Sequence, residues 1–157
     1  SSNARLAAGM CRVTDLRAAG APVGLGVDGV ASHEIGGLFP ELRQSLFTAR
    51  LRSLDATCFD HLDALAIGSA GGAACLGRDD IGTLEVGKRA DFAVWVTDDI
   101  ADIADPLVGL VFGPDRRVDR LVVGGRSVVE GGALVGVDLA EAHRRLAQRA
   151  SRLWEHA

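Results

Sequence analysis

The stretch Gly24-Leu25-Gly26-Val27-Asp28-Gly29 decides how this chain is read. Opened by Pro22 and Val23, it is an apolar run without polar alternation, the pattern of a strand buried on both faces. It stops on a single carboxylate and a glycine. A carboxylate at the C-terminal tip of a buried strand is where barrel folds place reacting groups. Gly24 and Gly26 weaken the run as a strand but let a ligand or a neighbouring backbone come close. Asp-Gly is also a common turn pair, so the dipeptide alone does not establish chemistry. Upstream, Val13, Leu16 and Ala19 lie at helical spacing and Gly20 is a suitable stop, which predicts a helix over Val13–Ala19. Downstream, Leu38, Leu42, Leu46 and Ala49 predict a second helix within Gly37–Leu54. Strand, Asp28 loop and helix make one βα unit.

Composition bounds the possibilities. A chain of 157 residues suits one domain of ordinary size, and 48% hydrophobic residues are ample for a core. The formal charge of -4, the scattered Arg and Lys and the scarcity of aromatics argue against nucleic acid as a partner. Cys11, Cys58 and Cys75 are odd in number and far apart, which fits neither a zinc ribbon nor a disulfide framework. A reducing, cytoplasmic setting is therefore expected. No apolar run reaches the ~18 residues expected of a membrane helix.

Further along, Asp60–Leu76 reads as one Ala-rich helix packing through Leu62, Leu65 and Ala66, followed by Ser69-Ala70-Gly71-Gly72-Ala73-Ala74 and a stop at Gly77. Next comes Ile81-Gly82-Thr83-Leu84-Glu85-Val86-Gly87-Lys88-Arg89-Ala90-Asp91 and the apolar strand Phe92-Ala93-Val94-Trp95. Gly87 is expected at positive φ, Lys88 and Arg89 in a solvated turn, and Asp91 bonded to turn amides. Val118–Arg126 and Val128–Gly132 read as a strand hairpin, and Ala140–Trp154 as an amphipathic helix.

The helix with Ala70-Gly71-Gly72-Ala73, followed by Gly82-x-Leu84-x-x-Gly87-Lys88-x-Ala90-Asp91 and an apolar strand, closely resembles a pattern of the amidohydrolase superfamily. With Ser1-Ser2-Asn3-Ala4-Arg5-Leu6 and Gly24–Gly29, the likeness covers almost the whole chain. It points to the metal-dependent aminohydrolase branch that includes 8-oxoguanine deaminases and triazine hydrolases. The implied fold class is α/β: the last βα units of a TIM-like barrel plus part of a flanking β-sandwich. The implied division is residues 1–77 as the C-terminal part of the barrel, 78–138 as the sandwich portion and 139–157 as a terminal helix.

The resemblance implies hydrolytic deamination of a purine-like or triazine-like heterocycle by metal-activated water. Asp28 corresponds to the family's metal ligand and proton acceptor. Asn3, in a Ser-Asn turn, and His33, in the loop beyond Asp28, are substrate-binding candidates. His33 stands where the family often carries Asn. The cofactor implied is one divalent metal, zinc with iron as the alternative, bound with histidines that this chain lacks. Neither His61, His143 nor His156 forms a His-x-His pair, and all three fall in helical runs. Implied partners are a small heterocyclic substrate, an upstream barrel segment and, in a homo-oligomer, further copies of the chain. Two other classes stand beside this one. The first is a non-catalytic interaction module of the same fold, since one carboxylate falls short of the three protein ligands of a catalytic zinc site. The second is a sugar- or nucleotide-binding α/β domain using Gly24-x-Gly26 near phosphate, a pattern that lacks the third glycine of a dinucleotide fingerprint.

Overall fold

The computed structural model describes residues 2–29, 31–33 and 37–155. Ser1 and His156 lie outside the described residues. The chain is mixed α/β: helices dominate the first half, and the second half holds a small antiparallel sheet between helices.

The helical half is built on α3 (Phe39–Ser53), preceded by α1 (Ser2–Arg5) and α2 (Val13–Ala18). Pro40 sits in the first turn of α3, where its missing N–H costs nothing. Leu42, Leu46 and Ala49 form its buried face, and Leu54 ends it in the left-handed conformation. Helix α4 (His61–Gly68) packs beside it, and α5 (Ala70–Cys75) packs against α4. Asp60 caps α4 reciprocally: the Asp63 N–H donates to Asp60 Oδ1 (2.9 Å), and the Asp60 N–H donates to Asp63 Oδ2 (3.1 Å). The Arg17–Asp63 ion pair at 2.7 Å ties α2 to this cap. Arg50 Nε donates to the Phe59 carbonyl (2.8 Å), joining the end of α3 to the same corner. The core is Val13, Leu42, Leu46, Ala49, Phe59, Ala64, Ile67 and Val111, with Val23 and Leu25 packed against it.

Four expectations change here. The segment Val23–Val27 is not a ladder strand. Among the described residues its one backbone bond is Leu25 N–H to the Ile67 carbonyl (3.1 Å), because no neighbouring strand pairs with it. The Ser-Asn turn at the start is a short helix, α1, with Asn3 inside it. The expected single helix over Asp60–Leu76 is two, because Ser69 (φ -128°, ψ -89°) leaves the helical region and its Oγ bonds back to the Leu65 carbonyl (2.8 Å). Its buried face runs through Ala64 and Ile67, while Leu62 is 51% exposed, since α3 and α6 pack on that side.

Strands β1 (Phe92–Trp95), β2 (Val118–Val123), β3 (Arg126–Glu130) and β4 (Ala133–Leu134) form one antiparallel sheet in sequence order. Among the described residues no second sheet faces it. Both hairpins turn on Gly-Gly pairs, Gly124-Gly125 (φ +56°, +76°) and Gly131-Gly132 (φ +56°, +78°). Two successive positive φ values are what a two-residue turn of the favoured twist requires. Gly87 has φ +93°, and the Gly124 N–H donates to Asp91 Oδ1, as expected of both residues. Lys88 is held within its own turn, donating to Thr83 Oγ1 (2.5 Å).

Helix α6 (Pro106–Phe112) lies between β1 and β2 and carries the core residue Val111. It is capped by Asp105, which accepts from the Leu107 N–H (3.0 Å). Helix α7 (Leu139–Trp154) closes the described chain with no buried residue. No helix among the described residues is long and apolar enough to cross a membrane.

Candidate functional site

A cleft of about 310 Å³ opens between α1, the extended segment Val23–Gly26 and α3. One wall is formed by Val23–Gly26: a Cβ on Gly26 would meet nothing within 4 Å, whereas one on Gly24 would lie 2.9 Å from Gly72 Cα, so Gly24 lets the segment approach α5 closely. The opposite wall is a polar stripe on α3: Glu41, Gln44, Ser45 and Thr48. These follow the i, i+3, i+4, i+7 spacing of one helix face, interleaved with the buried Leu42, Leu46 and Ala49. Gln44 Nε2 donates to Thr48 Oγ1 (3.3 Å), and Ser45 Oγ donates to the Leu42 carbonyl (2.7 Å). Asn3 lines the cleft from α1.

Asp28 follows directly on this wall. It is exposed, without a hydrogen-bond partner among the described residues, and stands two residues beyond Gly26. The turn after it is closed by Ser32, whose N–H (3.0 Å) and Oγ (3.2 Å) both reach the Gly29 carbonyl. His33 is 2% exposed and does not line the cleft. Its Nε2–H donates to Glu41 Oε1 at 2.9 Å, and Glu41, not His33, reaches the cleft wall. The stripe on α3 escaped the sequence reading, although its signal was present as polar residues at helical spacing beside the apolar ones.

The other histidines stand elsewhere. His61 is held to Asp105 (3.1 Å) between α4 and α6, and His143 is exposed on α7. Among the described residues no group of three His, Cys, Asp or Glu side chains could hold a metal ion. Asp28 thus belongs to no such three-residue group among the described residues. The acidic groups with displaced pKa values belong to the scaffold. Burial would raise the Asp63 carboxyl, but bonds from the Asp60 N–H and Arg17 outweigh it and the carboxyl sits below its ordinary range. The Asp99 carboxyl is likewise lowered, by hydrogen bonding from Arg116.

An extended apolar segment packed on the core thus ends on an exposed carboxylate close to this cleft. In comparison with known proteins, the Amidohydrolase family matches residues 1–128, and the chain belongs to that family. It is 45% identical to the 8-oxoguanine deaminase of Pseudomonas aeruginosa over 142 residues, covering 89% of this chain and 31% of that protein. Among solved structures it resembles an adenosine deaminase from Xanthomonas campestris with bound zinc, at a TM-score of 0.93 and 29% identity. That match covers 98% of this chain and 36% of the other. An atrazine chlorohydrolase from Arthrobacter aurescens, complexed with zinc, matches at a TM-score of 0.83 and 31% identity, over 96% of this chain and 34% of the other. The chain thus spans about a third of the length of these relatives, which are deaminases and hydrolases.

Proposed function

We propose that this chain is the C-terminal portion of a metal-dependent aminohydrolase that deaminates a purine-like or triazine-like heterocycle, with Asp28 as the reacting carboxylate. The observation that carries the reading is the position of Asp28, exposed at the end of the core-packed segment Val23–Val27, in a chain 45% identical to an 8-oxoguanine deaminase. The proposed division is residues 1–77 as barrel, 78–138 as sandwich portion and 139–157 as terminal helix. An upstream segment completes the barrel and supplies histidine ligands. The complete protein is placed in the cytoplasm, as a homo-oligomer.

In this reading Asp28 would be one anionic ligand of a divalent metal, zinc or iron, which when bound would supply an acidified water as nucleophile. The Asp28 carboxylate would accept a proton there and return it toward the leaving amine. Asn3 and Gln44 in the cleft walls offer amide groups, each donor and acceptor at once, suited to a nitrogen-rich ring. The test is Asp28→Asn in the full-length protein, read as ammonia released from 8-oxoguanine and as bound metal. Turnover should fall by at least ~100-fold, the scale of a lost acid–base group. Near-normal turnover with metal retained refutes the assignment.

The second reading is a non-catalytic interaction module of the same fold, favoured by the absence of a three-ligand group among the described residues. Metal analysis of the full-length protein separates the two. The aminohydrolase holds about one divalent ion per chain, and the module holds none.

A further inference from the structure

We propose that His33 and Glu41 form a positioning pair that fixes the turn carrying Asp28 to the first turn of α3; this rests on Asp28 being the reacting carboxylate. Asp28 has no partner of its own among the described residues, so its place is set by what holds the chain on either side. Upstream, the anchor is the Leu25 N–H on the Ile67 carbonyl. Downstream, Ser32 closes the turn on Gly29, and the next residue, His33, turns inward. A histidine side chain only 1% exposed, bonded at 2.9 Å to a carboxylate only 12% exposed, is an expensive arrangement unless the bond is kept.

Glu41 is an effective anchor because the very next residue, Leu42, begins the buried face of α3. A shift of Glu41 would have to move Leu42 and Leu46 within the core. The same carboxylate stands in the cleft wall opposite Gly24 and Gly26. One side chain therefore links the core helix, the Asp28 turn and the cleft. Neither His33 nor Glu41 needs to touch substrate for this; both act through the loop.

The test uses the full-length, metal-loaded protein with Glu41→Ala, His33→Ala, the double variant and Glu41→Gln. The first readout requires no turnover: the Ser32 amide, which closes the turn, should exchange about tenfold faster in each alanine variant as local opening becomes easier. In the same variants kcat should fall about 10- to 100-fold, the range expected when a reacting group is displaced by up to ~1 Å. KM should stay within about twofold, since ground-state binding is not what is lost. The double variant should be no slower than the slower single variant, because the two residues act as one unit. Glu41→Gln keeps an acceptor for His33 Nε2–H and should restore most of kcat. Wild-type exchange at Ser32 in a folded Glu41→Ala protein, shown by its melting curve, overturns the proposal. A drop in kcat without faster Ser32 exchange overturns it as well. Failure of the underlying assignment looks different: Asp28→Asn would then turn over at full rate, whatever the Ser32 amide does.

Discussion

Replacing Gly71 and, separately, Gly72 by alanine sets sequence propensity against tertiary packing at two adjacent positions of α5. On propensity both changes should stabilise, since alanine is favoured over glycine inside a helix by about 1 kcal/mol. The structure separates them. A Cβ on Gly72 meets nothing within 4 Å, whereas a Cβ on Gly71 would lie 2.2 Å from the Val23 carbonyl oxygen and 3.3 Å from that of Ala66. The obstacle at Gly71 is backbone, in a segment pinned by the Leu25–Ile67 bond and by packing of Val23 and Leu25 on the core. It cannot swing aside as the end of a side chain would. Overpacking costs about 1–3 kcal/mol, and a rigid obstacle puts Gly71→Ala at the upper end; subtracting the propensity gain leaves a net loss of about 1–2 kcal/mol. At about 2–4 °C per kcal/mol for a chain of this size, the melting temperature should drop by roughly 2–8 °C. Gly72→Ala should be neutral or gain up to about 1 kcal/mol. Thermal and urea unfolding followed by far-UV circular dichroism measure both. A Gly71→Ala protein as stable as Gly72→Ala would refute the close approach of the Val23 segment to α5.

Other outcomes follow from the same packing. Leu46 and Phe59 are fully buried, so either one changed to alanine should cost about 3–5 kcal/mol in urea unfolding. Hydrogen exchange of this chain should show the amides of Val23, Gly24, Gly26 and Val27 exchanging much faster than those of Phe92–Trp95, since only Leu25 of that segment has a backbone acceptor among the described residues. Equal protection would mean that the segment is paired after all. Because Arg116 lowers the folded-state pKa of Asp99, the contribution of that carboxylate is complete above its unfolded value and is lost as pH falls through the folded one, below about pH 4. Asp99→Asn should therefore lower stability at neutral pH and flatten the acid limb of the melting-temperature profile. An unchanged acid limb would show that the Arg116–Asp99 contact does not persist in solution.

Local signals were read from the chain where local chemistry suffices. The hairpin at Gly124-Gly125, the stop at Gly20 (φ +74°), the span of α7 and the turn around Gly87 and Asp91 each depend on residues close in sequence. The start of α6 is legible by the same rule, as Asp105 before Pro106 is a helix-opening pair. The family, too, was written in residue order, in Gly82–Asp91 and Gly24–Gly29.

Tertiary structure decided whatever depends on neighbours distant along the chain. Val23–Val27 has the composition of a buried strand, but a strand is completed only by a ladder partner, and none stands beside it among the described residues. The choice of Ala64 and Ile67 over Leu62 as the buried face of α4 came from α3 and α6, which pack on that side. His33 looked like a rim residue because a polar side chain in a loop usually faces water. A carboxylate eight positions later, carried inward by the first turn of α3, gave it a buried partner instead and took its place in the cleft wall. Helical periodicity could say which face of α3 is apolar, but only the packing of α1 and the Val23 segment shows that its polar face looks onto a cleft.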